Sequence, residues 1–139
     1  MNKSIVALLQ LNGWVAVLIG SFIVIDPASM LSAYGLQPDL SPALMSELRS
    51  PGGLLIACGL TIVRCALAIE SYERGLTLSI LVYGGYGITR LLSIVVDGEP
   101  AIEILLATAI EITLLILSGL TLLKLNRNPN VAFTNSFTK

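Results

Sequence analysis

Histidine is absent from this 139-residue chain, cysteine occurs twice, and charged residues make up only 12% of it, against about 25% in soluble domains. Each shortage excludes something. Without imidazole there is no histidine-ligated haem and no Ser/His or Cys/His catalytic pair, and two thiols alone are too few for a structural metal site. Cys58 and Cys65 lie in one apolar stretch; a helix separates them by about 10 Å along its axis, too far to bridge each other, so they read as small packing residues. No lysine stands in the interior of an apolar stretch, so a retinal Schiff base has nowhere to form. A net charge of -1 and the lack of a basic run leave nothing to track phosphates, and nucleic acid is not expected as a partner. EF-hand spacing and the phosphate-cradling Gly-Lys-Ser/Thr element are missing too. No cofactor and no metal are expected, and catalysis of the soluble type has no support.

What the chain has in excess is apolar sequence, 55% of it. It falls into four stretches, residues 4–25, 48–69, 75–96 and 101–124, each about the 20 residues that cross a bilayer as helix. The expected fold is all-α: an integral membrane four-helix bundle formed by residues 1–125, followed by a polar, proline-interrupted tail over 126–139 that is free to meet a partner. The first stretch follows a lysine and looks superficially like a signal peptide. It is longer than an h-region of about 7 to 15 residues and has no small-x-small site before Asp26-Pro27, so it reads as a retained first span.

The connection after that span carries its own punctuation. Asp26-Pro27 is a helix N-cap followed by a first-turn proline, Met30, Leu31 and Tyr34 share one helical face, and Gly35 supplies a stop. A short interfacial helix is expected there. Ser41-Pro42 and Ser50-Pro51 repeat the cap signal, the second predicting a kink or a fresh helix start. Lys3, Arg64, Arg74, Lys124, Arg127 and Lys139 gather at one side of the four spans. Asp26, Asp39, Glu47, Asp97 and Glu99 gather at the other, where Arg49 and Arg90 are the basic residues. By the positive-inside rule both termini are cytoplasmic, and helical spans point to a bacterial inner membrane rather than an outer one.

Charges inside the spans are the candidate site. Centring each span in the bilayer at 1.5 Å per residue puts Arg90 roughly 6 Å to the outer side of the midplane and Glu111 close to the midplane, within side-chain reach. Glu103 shares a helical face with Glu111 and lies nearer the outer surface beside Glu47, Arg49 and Asp97. A charge facing lipid at mid-span costs about 2.5 to 3.5 kcal/mol, so Arg90 and Glu111 should face inward and pair. Gly52, Gly53 and Gly59 on the second span and Gly84, Gly85 and Gly87 on the third remove side chains where helices pass closely. Tyr83 and Tyr86 read as packing and hydrogen-bonding residues beside them, Trp14 as packing, and Arg64 as a snorkelling residue. Asp97-Gly98-Glu99-Pro100 reads as a turn in which Pro100 opens the next helix, not as a metal loop.

Glu47-x-Arg49, Gly52-Gly53, Gly87-x-x-Arg90-Leu91-Leu92, Asp97-Gly98-x-Pro100 and Glu111 in the last span occur in that order. The arrangement, over roughly residues 5 to 124, resembles a family of small four-span bacterial membrane proteins catalogued as a domain of unknown function and loosely similar to DoxX-like bundles. The resemblance implies a four-helix membrane protein and brings no activity with it. Three readings follow. The first is a non-enzymatic accessory or assembly module whose buried outer-half charges stabilise the bundle or meet a membrane-protein partner or a second copy. The second is a small transporter or a binder of a lipid-like ligand using Arg90 and Glu111. The third and least supported is an intramembrane enzyme with Glu103 or Glu111 as acid or base.

Overall fold

The computed structural model describes residues 2–35 and 41–127. Asp39 and the tail from residue 128 onward, with Lys139, lie outside the described residues. Five α-helices follow one another: α1 over Lys3–Ile25, α2 over Pro27–Ala33, α3 over Pro42–Cys65, α4 over Tyr72–Asp97 and α5 over Ile102–Arg127, with one 3-10 turn at Ile69–Ser71 before α4. No strand occurs among the described residues. Four of the helices are long and apolar enough to cross a membrane. Their outward faces carry Leu18, Ile25, Leu81, Val95 and Leu120 uncovered, the arrangement that lipid rather than water solvates.

Local chemistry sets the helix ends. Asn2 caps α1 by accepting a hydrogen bond from the Ser4 amide at 3.1 Å. Asp26 ends α1 and starts α2, its Oδ1 accepting from the Ser29 amide at 3.0 Å with Pro27 behind it. Gly35, at φ 74, takes the left-handed conformation that closes α2. Ser41 accepts from the Leu44 amide at 3.2 Å and opens α3.

The helix boundaries depart from expectation in places. Of the kink or fresh start expected at Ser50-Pro51, a fresh start does not occur: α3 runs through Pro51, and the Ser50 hydroxyl turns back to donate to the Ser46 carbonyl at 2.9 Å rather than forward as a cap. The helix that carries the second apolar stretch runs over Pro42–Cys65, and Ala66–Ala68 leaves it for the turn. Pro100 stands two positions before α5 instead of opening it. The last helix, α5, carries through Arg127.

Without a hydrophobic drive between helices in lipid, association rests on close packing. α1 and α3 run antiparallel along a spine of four glycines. A Cβ on Gly13 would stand 2.7 Å from the Gly59 carbonyl oxygen and one on Gly59 2.6 Å from that of Gly13; Gly20 and Gly52 stand in the same reciprocal relation at 2.6 and 2.9 Å. Any larger residue at these positions pushes backbone against backbone. α4 and α5 form the second intimate pair, while α1 and α5 barely touch. Around the chain-terminal end the helices close on a core of Ile5, Leu9, Ile62, Ala66, Tyr72 and Leu76.

Candidate functional site

α4 and α5 meet where Gly87 faces Ile112 and Glu111: a Cβ on Gly87 would stand 2.8 Å from Ile112 Cδ1 and 3.5 Å from Glu111 Cβ. That approach brings the next turn of α4 onto α5. Arg90 Nε lies 3.1 Å from Glu111 Oε2, the one ion pair among the described residues, with the Glu111 side chain 11% exposed and that of Arg90 23%. The glycine and the pair are thus one feature of the sequence expressed in three dimensions.

The pair is close but poorly aligned. The Arg90 Nε and Glu111 Oε2 atoms are both buried, and neither makes a hydrogen bond of good geometry, so the charges attract each other while part of their directional capacity is unused. No other protein group among the described residues bonds to either side chain.

Both side chains border a cavity of about 500 Å³, within the range of small-molecule sites. It lies in the half of the bundle away from the chain ends, and all five helices contribute to its wall. Phe22 and Ile23 of α1, Met30 of α2 and Leu55 of α3 supply apolar surface, with Tyr83 and Tyr86 of α4 beside the ion pair. α2 contributes Pro27, Met30 and Tyr34, so the short connection helix closes one end of the cavity. A second, more open groove of about 380 Å³ lies between α3 and α4, and Leu55, Val82 and Tyr86 form the partition shared by the two.

Beneath the cavity is a polar node that sequence reasoning missed. Asn12 of α1 is fully buried and donates through Nδ2 to Ser118 Oγ of α5 at 2.8 Å. Tyr83 of α4 donates its hydroxyl to the Asn12 backbone carbonyl at 2.5 Å, and Ser118 donates to the Leu114 carbonyl at 2.7 Å. Three helices are tied together at one level, the Tyr83 ring belonging to the cavity wall and its hydroxyl to the node. The signal was present: Asn12 is a lone amide inside the first apolar stretch, and Ser118 is two turns from Glu111 on the same face of α5.

The remaining predicted residues do not join the pair. Glu47 and Glu103 are exposed and stand in no ion pair. Asp97 accepts from the Ser93 hydroxyl at 2.7 Å within its own helix. Arg49 turns to α1, its Nε donating to the Val24 carbonyl at 3.0 Å, where a cation complements a helix C-terminus. Of the six charges expected together, the structure brings two, Arg90 and Glu111, within ion-pair distance. Gly53 and Gly85 have open space where a Cβ would go, so neither serves close helix packing; Gly85 instead borders the second groove. Gly84 packs against Leu115 with a would-be Cβ distance of 3.3 Å. Trp14 is not a packing residue of the interior: its ring is 49% exposed on the outer face, its Nε1 donating to Gln10 Oε1 at 3.1 Å. Among the described residues no three carboxylate or thiol groups gather as a metal ion would require.

Four membrane-length apolar helices, closed at one end and holding an ion pair beside a cavity at the other, define a small helical bundle of the multi-pass membrane class. Residues 5–122 match the family model described as Domain of unknown function (DUF4345), and the chain belongs to that family. No curated protein and no solved structure matches it.

Proposed function

We propose that the protein binds the apolar chain of a lipid-like amphiphile within the bilayer, holding its head near Arg90 and Glu111. The observation that carries this reading is that the one ion pair among the described residues lies in the wall of a cavity of about 500 Å³ instead of in solid packing. A pair serving only to lock helix register has no need of an apolar space beside it, so the cavity favours ligand binding over a purely accessory role. Away from the Asn12–Ser118 hydrogen bond that joins them, α1 and α5 touch little, and their seam beside the cavity is the route by which a chain can slide in from the membrane.

The setting of this reading is a bacterial inner membrane, with both termini cytoplasmic and α2 at the outer interface. It is supported by Lys3, Arg64, Arg74, Lys124 and Arg127 at the chain-terminal end. At the opposite end the nearest exposed arginine, Arg49, is engaged by α1.

The test uses protein in lipid nanodiscs and a fatty alcohol carrying a mid-chain diazirine. Photolabelled peptides are expected to cluster on the cavity-lining parts of α1, α3 and α4. Ala107→Phe, which places a ring in the cavity from α5, should suppress that cluster while sparing label on the outer faces. Labelling spread evenly over all lipid-facing residues, unchanged by Ala107→Phe, defeats the proposal.

A further inference from the structure

We infer that the head group this cavity selects is neutral, a hydroxyl or carbonyl oxygen on a long apolar chain, and that anionic heads are discriminated against. The inference deepens the ligand-binding reading above and depends on it.

Charge is the first argument. Of the described residues lining the cavity, Arg90 and Glu111 alone are charged, and their formal charges cancel. An anionic head would leave a net negative charge in a largely apolar enclosure, and a cationic head a net positive one; both are costly there. Arg49, whose Nε donates to the Val24 carbonyl, the exposed Glu47 and Asp26, which accepts from the Ser29 amide, keep their charges but do not line the cavity, and together they supply no net positive charge to an anionic head.

Hydrogen-bonding capacity is the second argument, and it is independent of net charge. Arg90 Nε is a buried donor and Glu111 Oε2 a buried acceptor, and each lacks a well-formed hydrogen bond although the atoms are 3.1 Å apart. A buried group left in this condition is under pressure to find a partner. Those two atoms have no surface open to the cavity, but the side chains that carry them are 23% and 11% exposed, so a hydroxyl can meet both groups through their other atoms, donating to the carboxylate and accepting from the guanidinium, and a carbonyl can meet the arginine. A carboxylate or sulfate accepts from Arg90 but repels Glu111. The walls beyond the pair, such as Phe22, Ile23 and Leu55, offer nothing polar and fit the chain.

The experiment displaces the diazirine-bearing fatty alcohol from nanodisc-embedded protein with three competitors of one chain length: oleyl alcohol, oleyl sulfate and oleylamine. Oleyl alcohol should displace the probe at a concentration lower by about tenfold or more than either charged competitor. Glu111→Gln leaves Arg90 uncompensated and should reverse the order in favour of the sulfate, whereas Arg90→Gln should favour the amine. Either variant suffices if the other fails to fold, as judged by its helical circular dichroism. Oleyl sulfate competing as well as the alcohol in the unaltered protein overturns the inference, as does a charge variant that keeps the cavity label and does not change the order. Absence of cavity labelling by the probe removes the ligand-binding reading itself, a result distinct from labelling with the wrong head-group preference.

Discussion

Toward the chain ends, Leu9, Ile62, Tyr72 and Leu76 close on one another with nothing between them; toward the α1–α3 connection, the same helices part around a cavity and place an ion pair in its wall. The Asn12–Ser118 hydrogen bond and the Tyr83 hydroxyl lie at the boundary between the two halves. The glycine spine of α1 and α3 extends into both, so the backbone approach of that pair does not make the difference. Side-chain volume and polarity do. A bundle with a cavity of about 500 Å³ beside the ion pair in one half, and near the chain ends a smaller pocket of about 260 Å³ apart from the Leu9–Leu76 core, suits a site filled and emptied from one half of the bilayer better than a pore crossing both.

The sharpest way to break this comparison is to remove one partner of the ion pair. Arg90→Ala leaves the Glu111 carboxylate uncompensated and should cost about 3 kcal/mol or more in detergent or nanodiscs. Adding Glu111→Gln to it should recover part of that loss. Additive effects of the two single changes in an unfolding titration would show that the pair is not coupled. A somewhat smaller contrast separates the halves themselves. Leu9→Ala opens a void in the dry core and should cost about 2 to 5 kcal/mol. Leu55→Ala, on a side chain that already borders empty space, should cost less than half as much by the same titration. Equal losses would mean that the cavity half is as tightly packed as the other.

Much of this architecture was legible in the sequence because membrane helices announce themselves by length and apolarity, and caps such as Asp26-Pro27 and Ser41-Pro42 act through local geometry. The pairing of Arg90 with Glu111 was legible for a related reason: lipid leaves a mid-span charge few places to go. Ser50-Pro51 left a kink and a fresh helix start both open because a cap signal is indistinguishable from a helix-interior proline until the direction of the Ser50 hydroxyl is known. Gly13 and Gly20 were passed over while Gly53 and Gly85 were included, because glycine pairs catch attention in one dimension whereas contact depends on helix rotation. The cavity could not be read at all. It arises from where five helices fail to touch, and no single stretch of sequence encodes that.

The smallest expected effect concerns α2, which closes one end of the hollow half with Met30 and Tyr34. The Asp26 carboxylate is held below the usual aspartate range by its hydrogen bonds with Ser29, side chain first and backbone second. A depressed value in the folded state means that the cap contributes fully above the ordinary aspartate value of about 3.9, and that its contribution is lost as pH falls through the lower folded value. Amide protection at Ser29 and Met30, measured by hydrogen exchange and corrected for intrinsic rates, should therefore be steady near neutrality and decline in strong acid. Asp26→Asn keeps a capping oxygen without a titrating proton, so its protection should not vary with pH. Asp26→Ala should show reduced protection at every pH. Protection in the unaltered protein that persists unchanged into strong acid would mean that contacts with the cavity wall, and not the cap, hold α2 in place; the hollow half would then owe its closure to the same side-chain packing that seals the dry one.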